Sequence, residues 1–197
     1  GFIDTALEIP YFDIELELGI FYYFFAVLFI AGMVNSVNLT DGIDGLASSV
    51  TFVVGGFFAV AAFACDLFEL SVMSALIIGA VLGFLVYNFH PARVFMGDTG
   101  SLSIGGIIAV FALCIRKELL LPLMCGLFLA ESVSVMAQVA WFKYTKRKYG
   151  EGRRIFKMAP LHHHYQKKGL FETKIVMRFF ILSMLLSALT LVTLKIR

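Results

Sequence analysis

A chain of 197 residues that is 60% hydrophobic and only 15% charged, with 21 Phe and a mean hydropathy of +0.90, lies outside the range of soluble domains, which are about 45–50% apolar and about 25% charged. A water-soluble globular domain is excluded, because the apolar residues form long charge-free runs whose solvent must be lipid. The net charge of +2 hides a segregation of signs: residues 1–19 hold five acids (Asp4, Glu8, Asp13, Glu15, Glu17) and no base, whereas residues 143–178 hold eleven of the sixteen bases.

The chain opens at Gly1 with an acidic stretch in place of the basic n-region of a signal peptide, and the lack of an initiator Met reads as a fragment. Over Tyr11–Leu18 the apolar Phe12, Ile14, Leu16 and Leu18 alternate with Asp13, Glu15 and Glu17. That period predicts a short extracytoplasmic strand in a hairpin-like segment at residues 1–19. A membrane-crossing helix needs about 20 apolar residues, and six runs are candidates: Leu18–Leu39, Gly45–Cys65, Leu70–Phe89, the shorter Thr99–Ile115, Leu119–Phe142 and Ile175–Leu194. They are continuous and not alternating, which favours helices over barrel strands.

The expected fold is an all-α polytopic membrane protein with six transmembrane helices. Five lie within residues 20–142, a basic loop follows at 143–174, and the last helix occupies 175–197. The segments Asn38–Asp44, His90–Asp98 and Lys143–Lys174 share one side, and the last of them carries ten Lys and Arg. The positive-inside rule makes that side cytoplasmic, with Arg116 and Lys117 mildly against it. Gly79 with Gly83, Gly55–Gly56 and Gly105–Gly106 are helix-packing signals, and such small-residue faces permit a homodimer. Cys65, Cys114 and Cys125 sit in or beside apolar runs and are odd in number, so no disulfide framework is expected.

Every polar, motif-like segment falls on the expected cytoplasmic face. In Asn35–Leu46, the side chains of Asn38, Thr40, Asp41 and Asp44 stand at a membrane edge. They form either a turn leading to a helix N-cap or a site for a nucleoside's donors or a divalent cation. In Asn88–Ser101 a span ends, Pro91 breaks the backbone and Gly97–Ser101 leads into the next helix. A phosphate with a metal held by Asp98 suits that geometry; so does a plain N-cap by Asp98 or Thr99. Phe95 either anchors in lipid or stacks on a base.

The third segment, Met158–Tyr165, holds the consecutive His162, His163 and His164. Adjacent residues rarely aim at one ion, so these imidazoles serve phosphates as donors or proton carriers, or join Arg153, Arg154, Lys157, Lys167 and Lys168 in an anionic-lipid surface. Glu131 and Gln138, seven apart on one helix face, predict a cavity contact or an interhelical hydrogen bond.

Together, Asn38–Gly45 (NLTDGIDG), Phe95–Ser101 (FMGDTGS) and Met158–His164 (MAPLHHH) resemble the signature segments of the phospho-N-acetylmuramoyl-pentapeptide transferases, within the polyprenyl-phosphate N-acetylhexosamine-phosphate transferase superfamily. The resemblance implies transfer of phospho-MurNAc-pentapeptide from UDP-MurNAc-pentapeptide to undecaprenyl phosphate, giving lipid I and UMP with Mg²⁺, in a bacterial plasma membrane. It assigns Asp98 to Mg²⁺, and Asn38, Asp41, Asp44, Phe95 and Gln138 to the nucleoside pocket. Asn88, His162, His163 and His164 fall to the catalytic cleft, with His162 the most sensitive of the three histidines.

The family pattern also has ten spans and a tandem-aspartate motif, and this chain has no adjacent Asp pair. The expectation is a C-terminal part of such an enzyme, inactive alone; Mg²⁺-dependent turnover by these residues alone would overturn it. The rival readings are a related UDP-GlcNAc:polyprenyl-phosphate transferase, which the histidine segment disfavours, and a transporter using Glu131. No nucleic-acid partner is expected.

Overall fold

A computed structural model describes residues 5–9, 14–116 and 118–195. The start of the expected strand at 11–13, and Lys117, lie outside the described residues. Strand β1 (Ala6–Ile9) pairs antiparallel with β2 (Ile14–Glu17), placing Ala6 opposite Glu17 and Ile9 opposite Ile14. The rest is helical, as it must be where lipid offers the backbone no partner and each run has to close its own hydrogen bonds. The helices are α1 (Phe21–Thr40), α2 (Leu46–Ala64), α3 (Phe68–Asn88), α4 (Gly97–Ile115), α5 (Leu121–Met124), α6 (Gly126–Tyr149), α7 (Leu161–Gln166) and α8 (Glu172–Lys195).

Among the described residues five helices are long and apolar enough to cross a membrane: α1, α2, α3, α4 and α8. Six were expected, and the difference lies in Leu119–Phe142. That run breaks at Cys125 into the short α5 and the 24-residue α6. Helix α6 continues past Phe142 and ends on Lys146, Arg147 and Lys148, whose charges complement the negative end of the helix dipole. With Glu131 and Gln138 within it and a basic last turn, α6 is too polar to qualify by composition alone.

Helix α2 is the centre of the bundle: it packs chiefly on α3 and α8, while α1 packs on α4 and α6. Val37, Leu46, Val50, Val54, Ala109, Phe128 and Ile175 are among its core residues. In α2, 61% of the apolar window is buried, against 11% in α3, whose Val72, Leu76 and Val86 face outward. Of the expected small-residue contacts, Gly55 meets the Ile78 side chain, at 3.0 Å from an added Cβ, and Gly105 meets backbone, since a Cβ there would lie 2.6 Å from the Val34 Cα and 2.9 Å from the Met33 carbonyl oxygen. The backbones of α1 and α4 therefore touch, as small residues permit. Gly79 and Gly83 have no described atom within 4 Å of an added Cβ, so that pair packs on nothing within the described residues.

At the strand end of the bundle the Tyr22 hydroxyl donates to Glu118 Oε1 at 2.6 Å, and Arg116 Nη2 donates to the Ala6 carbonyl at 2.6 Å. At the other end meet the C-termini of α1 and α3, the N-termini of α2, α4 and α8, and the short α7.

Candidate functional site

Helix α1 ends at Thr40, whose hydroxyl donates back to the Ser36 carbonyl at 2.8 Å, and the Asp41 amide closes on the Asn38 carbonyl at 3.1 Å. The chain then turns through Asp41–Gly45, with Gly45 at φ +73°, a left-handed conformation that favours glycine, and enters α2. This turn puts two carboxyls at the membrane edge within reach of the loop before α4.

Asn38 Nδ2 donates to Asp98 Oδ1 at 2.9 Å and to Ser101 Oγ at 3.0 Å. Ser101 is fully buried and its hydroxyl donates to the Gly97 carbonyl at 3.0 Å. Asp41 joins this group. Burial first, and then the charge of Asp98, raise its pKa above the ordinary carboxyl range, against a lowering hydrogen bond from the Gly97 backbone. Two acids that repel in this way form a charge surplus that a cation would relieve.

Beside them, Asp44 Oδ2 accepts from the Ala92 amide at 3.0 Å and lies 3.0 Å from His90 Nδ1, which is 3.7 Å from Glu172 Oε2. Asn88 is 3% exposed. Its amide donates to the Val94 carbonyl at 3.0 Å, and its oxygen accepts from Ser48 Oγ at 2.7 Å. Both side chains thus hold the turn that leads to Phe95. Phe95 itself is 74% exposed, an open ring face not brought against the other site residues.

The three histidines part company on α7. His162 is fully buried: its amide donates to Glu131 Oε1 at 3.2 Å, and its Nδ1 lies 3.2 Å from Glu131 Oε2, off the line of a hydrogen bond. His163 Nδ1 lies 2.6 Å from Gln166 Oε1, and Gln166 Nε2 donates to Glu172 Oε1 at 2.9 Å. His164 Nδ1 accepts from the Lys157 amide at 3.0 Å, and the ring stands edge-on to Phe156. Desolvation, then the charges of Lys168 and Lys157, lower the pKa of His164.

Gln138 clamps the same loop. Its Oε1 accepts from the Ile155 and Phe156 amides at 3.0 and 2.9 Å, beside a groove of about 430 Å³ walled by Val135, Val139, Phe142 and Met158 with Lys143 and Arg154 at its edge. Of the expected site residues, then, Asn38, Asp41 and Asp98 converge. Asp44 and Asn88 bracket the neighbouring turn, His162 lies beneath the first loop, and Gln138 with His164 holds residues 155–157.

Sequence reasoning did not single out Ser101, His90 or Glu172. The oxygens of Asp44 and Glu172 and a His90 nitrogen lie within 4.8 Å of one another. His90 stands in the Asn88–Ser101 segment, whereas Glu172, one of two acids in the basic 143–174 loop, gave no signal.

The profile of glycosyl transferase family 4 matches residues 2–116. Three phospho-N-acetylmuramoyl-pentapeptide-transferases are among the similar curated proteins. The one from Parabacteroides distasonis is 48% identical over 94% of this chain and 51% of its own length. That from Flavobacterium psychrophilum is 52% identical over 87% and 46%, and that from Chlorobium phaeobacteroides 50% over 98% and 57%. The chain spans about half the length of these relatives. From the profile match and this depth of identity, the chain belongs to glycosyl transferase family 4.

Proposed function

We propose that the chain carries the nucleotide and metal face of a phospho-N-acetylmuramoyl-pentapeptide transferase, which moves phospho-MurNAc-pentapeptide from its UDP carrier onto undecaprenyl phosphate and releases UMP. The observation that carries the reading is the convergence of Asn38 and Asp41, at the C-terminal end of α1, with Asp98 and Ser101, in the first turns of α4 about 60 residues on, at one end of an apolar bundle. A soluble diphosphate reaches that end from the cytoplasm, and a lipid phosphate reaches it along the membrane plane. In this reading α6 is a sixth membrane segment, the site end is cytoplasmic, and the membrane is the bacterial plasma membrane.

Phosphoryl transfer needs alignment and charge neutralisation more than covalent help from the protein. The donor set fits a hard divalent ion: Asp98 and Asp41 offer carboxyl oxygens beside the polar Asn38 and Ser101. Mg²⁺ held there would neutralise diphosphate charge. The chain's own residues do the rest. Asn38 orients Asp98 by its hydrogen bond, Phe95 offers an exposed face on which a uracil can stack, and Asp44 and Asn88 fix the turn that presents it. His163 and His164, with Lys157, Lys167 and Lys168, give the rim donors for phosphate oxygens.

The test is Mg²⁺-dependent UMP release by the protein from its complete reading frame, with undecaprenyl phosphate and either UDP-MurNAc-pentapeptide or UDP-GlcNAc. Release from the muramoyl donor alone is expected. Release from UDP-GlcNAc moves the protein to the sister activity, and release from neither rejects the transferase reading.

A further inference from the structure

Glu131 is a carboxyl with no exposure, set in a helix whose neighbours are apolar. An acid there is expensive to bury, and well-packed apolar residues in place of a buried pair are often at least as stable. Stability alone is therefore a poor reason for its presence. Its two oxygens address one residue: Oε1 accepts the His162 amide, and Oε2 faces the ring at Nδ1. The amide bond holds the backbone of residue 162, and Oε2 stands against the Nδ1 edge of its imidazole.

The far edge of the same ring meets the acid-bearing loop. His162 Nε2 has no hydrogen-bond partner, and a Cβ on Gly42 would collide with it, with Cε1 at 2.9 Å and Cδ2 at 3.3 Å behind it. Gly42 lies between Asp41 and Asp44, so the ring presses on the backbone that carries both carboxyls. A second tie runs from the next residue of α6: the Ser132 hydroxyl donates to Ser36 Oγ at 2.8 Å, one turn before α1 ends. Since His162 is sealed from solvent, it reaches substrate through this contact and not by touching it.

We propose that Glu131 is a positioning residue: through His162 and the bare Cα of Gly42 it sets the Asp41–Gly45 loop from inside the membrane. The inference goes beyond the proposed function and rests on it only for the turnover readout. A displacement of about 1 Å in an aligned site lowers rates by about 10²-fold, so a strut one side chain long has leverage on turnover.

The experiment compares the purified full protein with Glu131→Ala, Glu131→Gln and, at the opposite end of the bundle, Tyr22→Phe, by amide hydrogen exchange. Glu131→Ala is expected to raise exchange across residues 41–45 by about tenfold or more beyond the rise that its lower global stability brings to α2 and α8. Glu131→Gln, which keeps an acceptor for the His162 amide, should fall between it and the parent, and Tyr22→Phe should leave the loop unchanged. Gly42→Ala should mimic Glu131→Ala and add nothing to His162→Ala, because the collision needs both partners. In turnover, Glu131→Ala should lower kcat by about 10²-fold with a smaller change in KM.

Unchanged exchange at 41–45, uniform loosening of the whole bundle in Glu131→Ala, or additive effects at 42 and 162 would each overturn the proposal. A parent protein without turnover would reject the transferase reading and leave the exchange result to decide the strut.

Discussion

Glu118 and Glu131 are both sealed from solvent, at 1% and 0% exposure, yet they stand at different levels of the bundle and face different chemistry. Glu118 takes one hydroxyl hydrogen from Tyr22, at the start of α1, next to the Arg116 contact with β1. Neither partner belongs to a motif, and the pair fastens the strand end to the helices. Glu131 instead meets His162, which leans on the loop holding Asp41 and Asp44. A buried acid is thus a functional pointer only through what its partner touches next.

Several changes would sharpen or break that contrast. The largest effect is expected at the motif end: Asp98→Asn should lower Mg²⁺-dependent UMP release by about 10³-fold or more with an unaltered melting temperature. Retained turnover would remove Asp98 from the metal role. The same change takes away one of the two causes that raise the Asp41 pKa, so that carboxyl should titrate closer to its ordinary range.

Next come the glutamates themselves, read by thermal and denaturant unfolding. Glu131→Ala leaves the buried His162 amide without its acceptor and should cost about 1–3 kcal/mol. Glu118→Ala removes the Tyr22 hydroxyl's bond to this acid and should cost about 1–3 kcal/mol, with turnover intact below the melting point. Equal losses of turnover would erase the contrast.

Phe95→Ala should weaken uridine nucleotide binding about tenfold, the scale of base–aromatic stacking at about 1–3 kcal/mol, and leave stability alone because the ring is exposed. Unaltered affinity in a titration would take Phe95 out of the pocket.

The smallest effect is on pH dependence. His164 has a lowered folded pKa, so the folded state resists its protonation. Its contribution is present above the ordinary imidazole value of about 6.5 and is lost as pH falls from there toward the lowered folded value. Asp41, raised in the fold, acts in the opposite sense, since its destabilising charge is relieved as pH falls through the raised value. Melting temperatures at pH 7 and 5.5 for the parent and His164→Gln should show a smaller acid loss in the variant.

Much of the fold was legible because the runs behind α1, α2, α3 and α4 are uninterrupted and apolar and that behind α8 is broken only by Arg178 near its start, and the ends of all five agree with the apolar limits to within a few residues. The fifth run was not, because Leu119–Phe142 reads as one apolar stretch interrupted only by Glu131, whereas the chain breaks at Cys125 into α5, which packs on α8, and α6. In the site, Asn38, Asp41 and Asp98 were legible as polar side chains with no reason to stand at a lipid edge. The histidines were not separable: three adjacent imidazoles look alike in a string, and α7 sends one inward to a carboxyl 31 residues away in the chain. Glu131 announced a partner, but not which.

The close approach at Gly105 has a mechanical consequence. Val34 lies one turn before Asn38, and Gly105 lies two turns after Asp98, so the backbone contact between them makes α1 and α4 the two arms of a caliper whose tips are Asn38 and Asp98. Bilayers of different thickness tilt helices against one another, and pairs spaced by flexible side chains yield to that tilt first. Arms joined at the backbone keep their gap, so the 2.9 Å hydrogen bond at the tips should hold while the helices of the outer, lipid-facing side lean with the membrane.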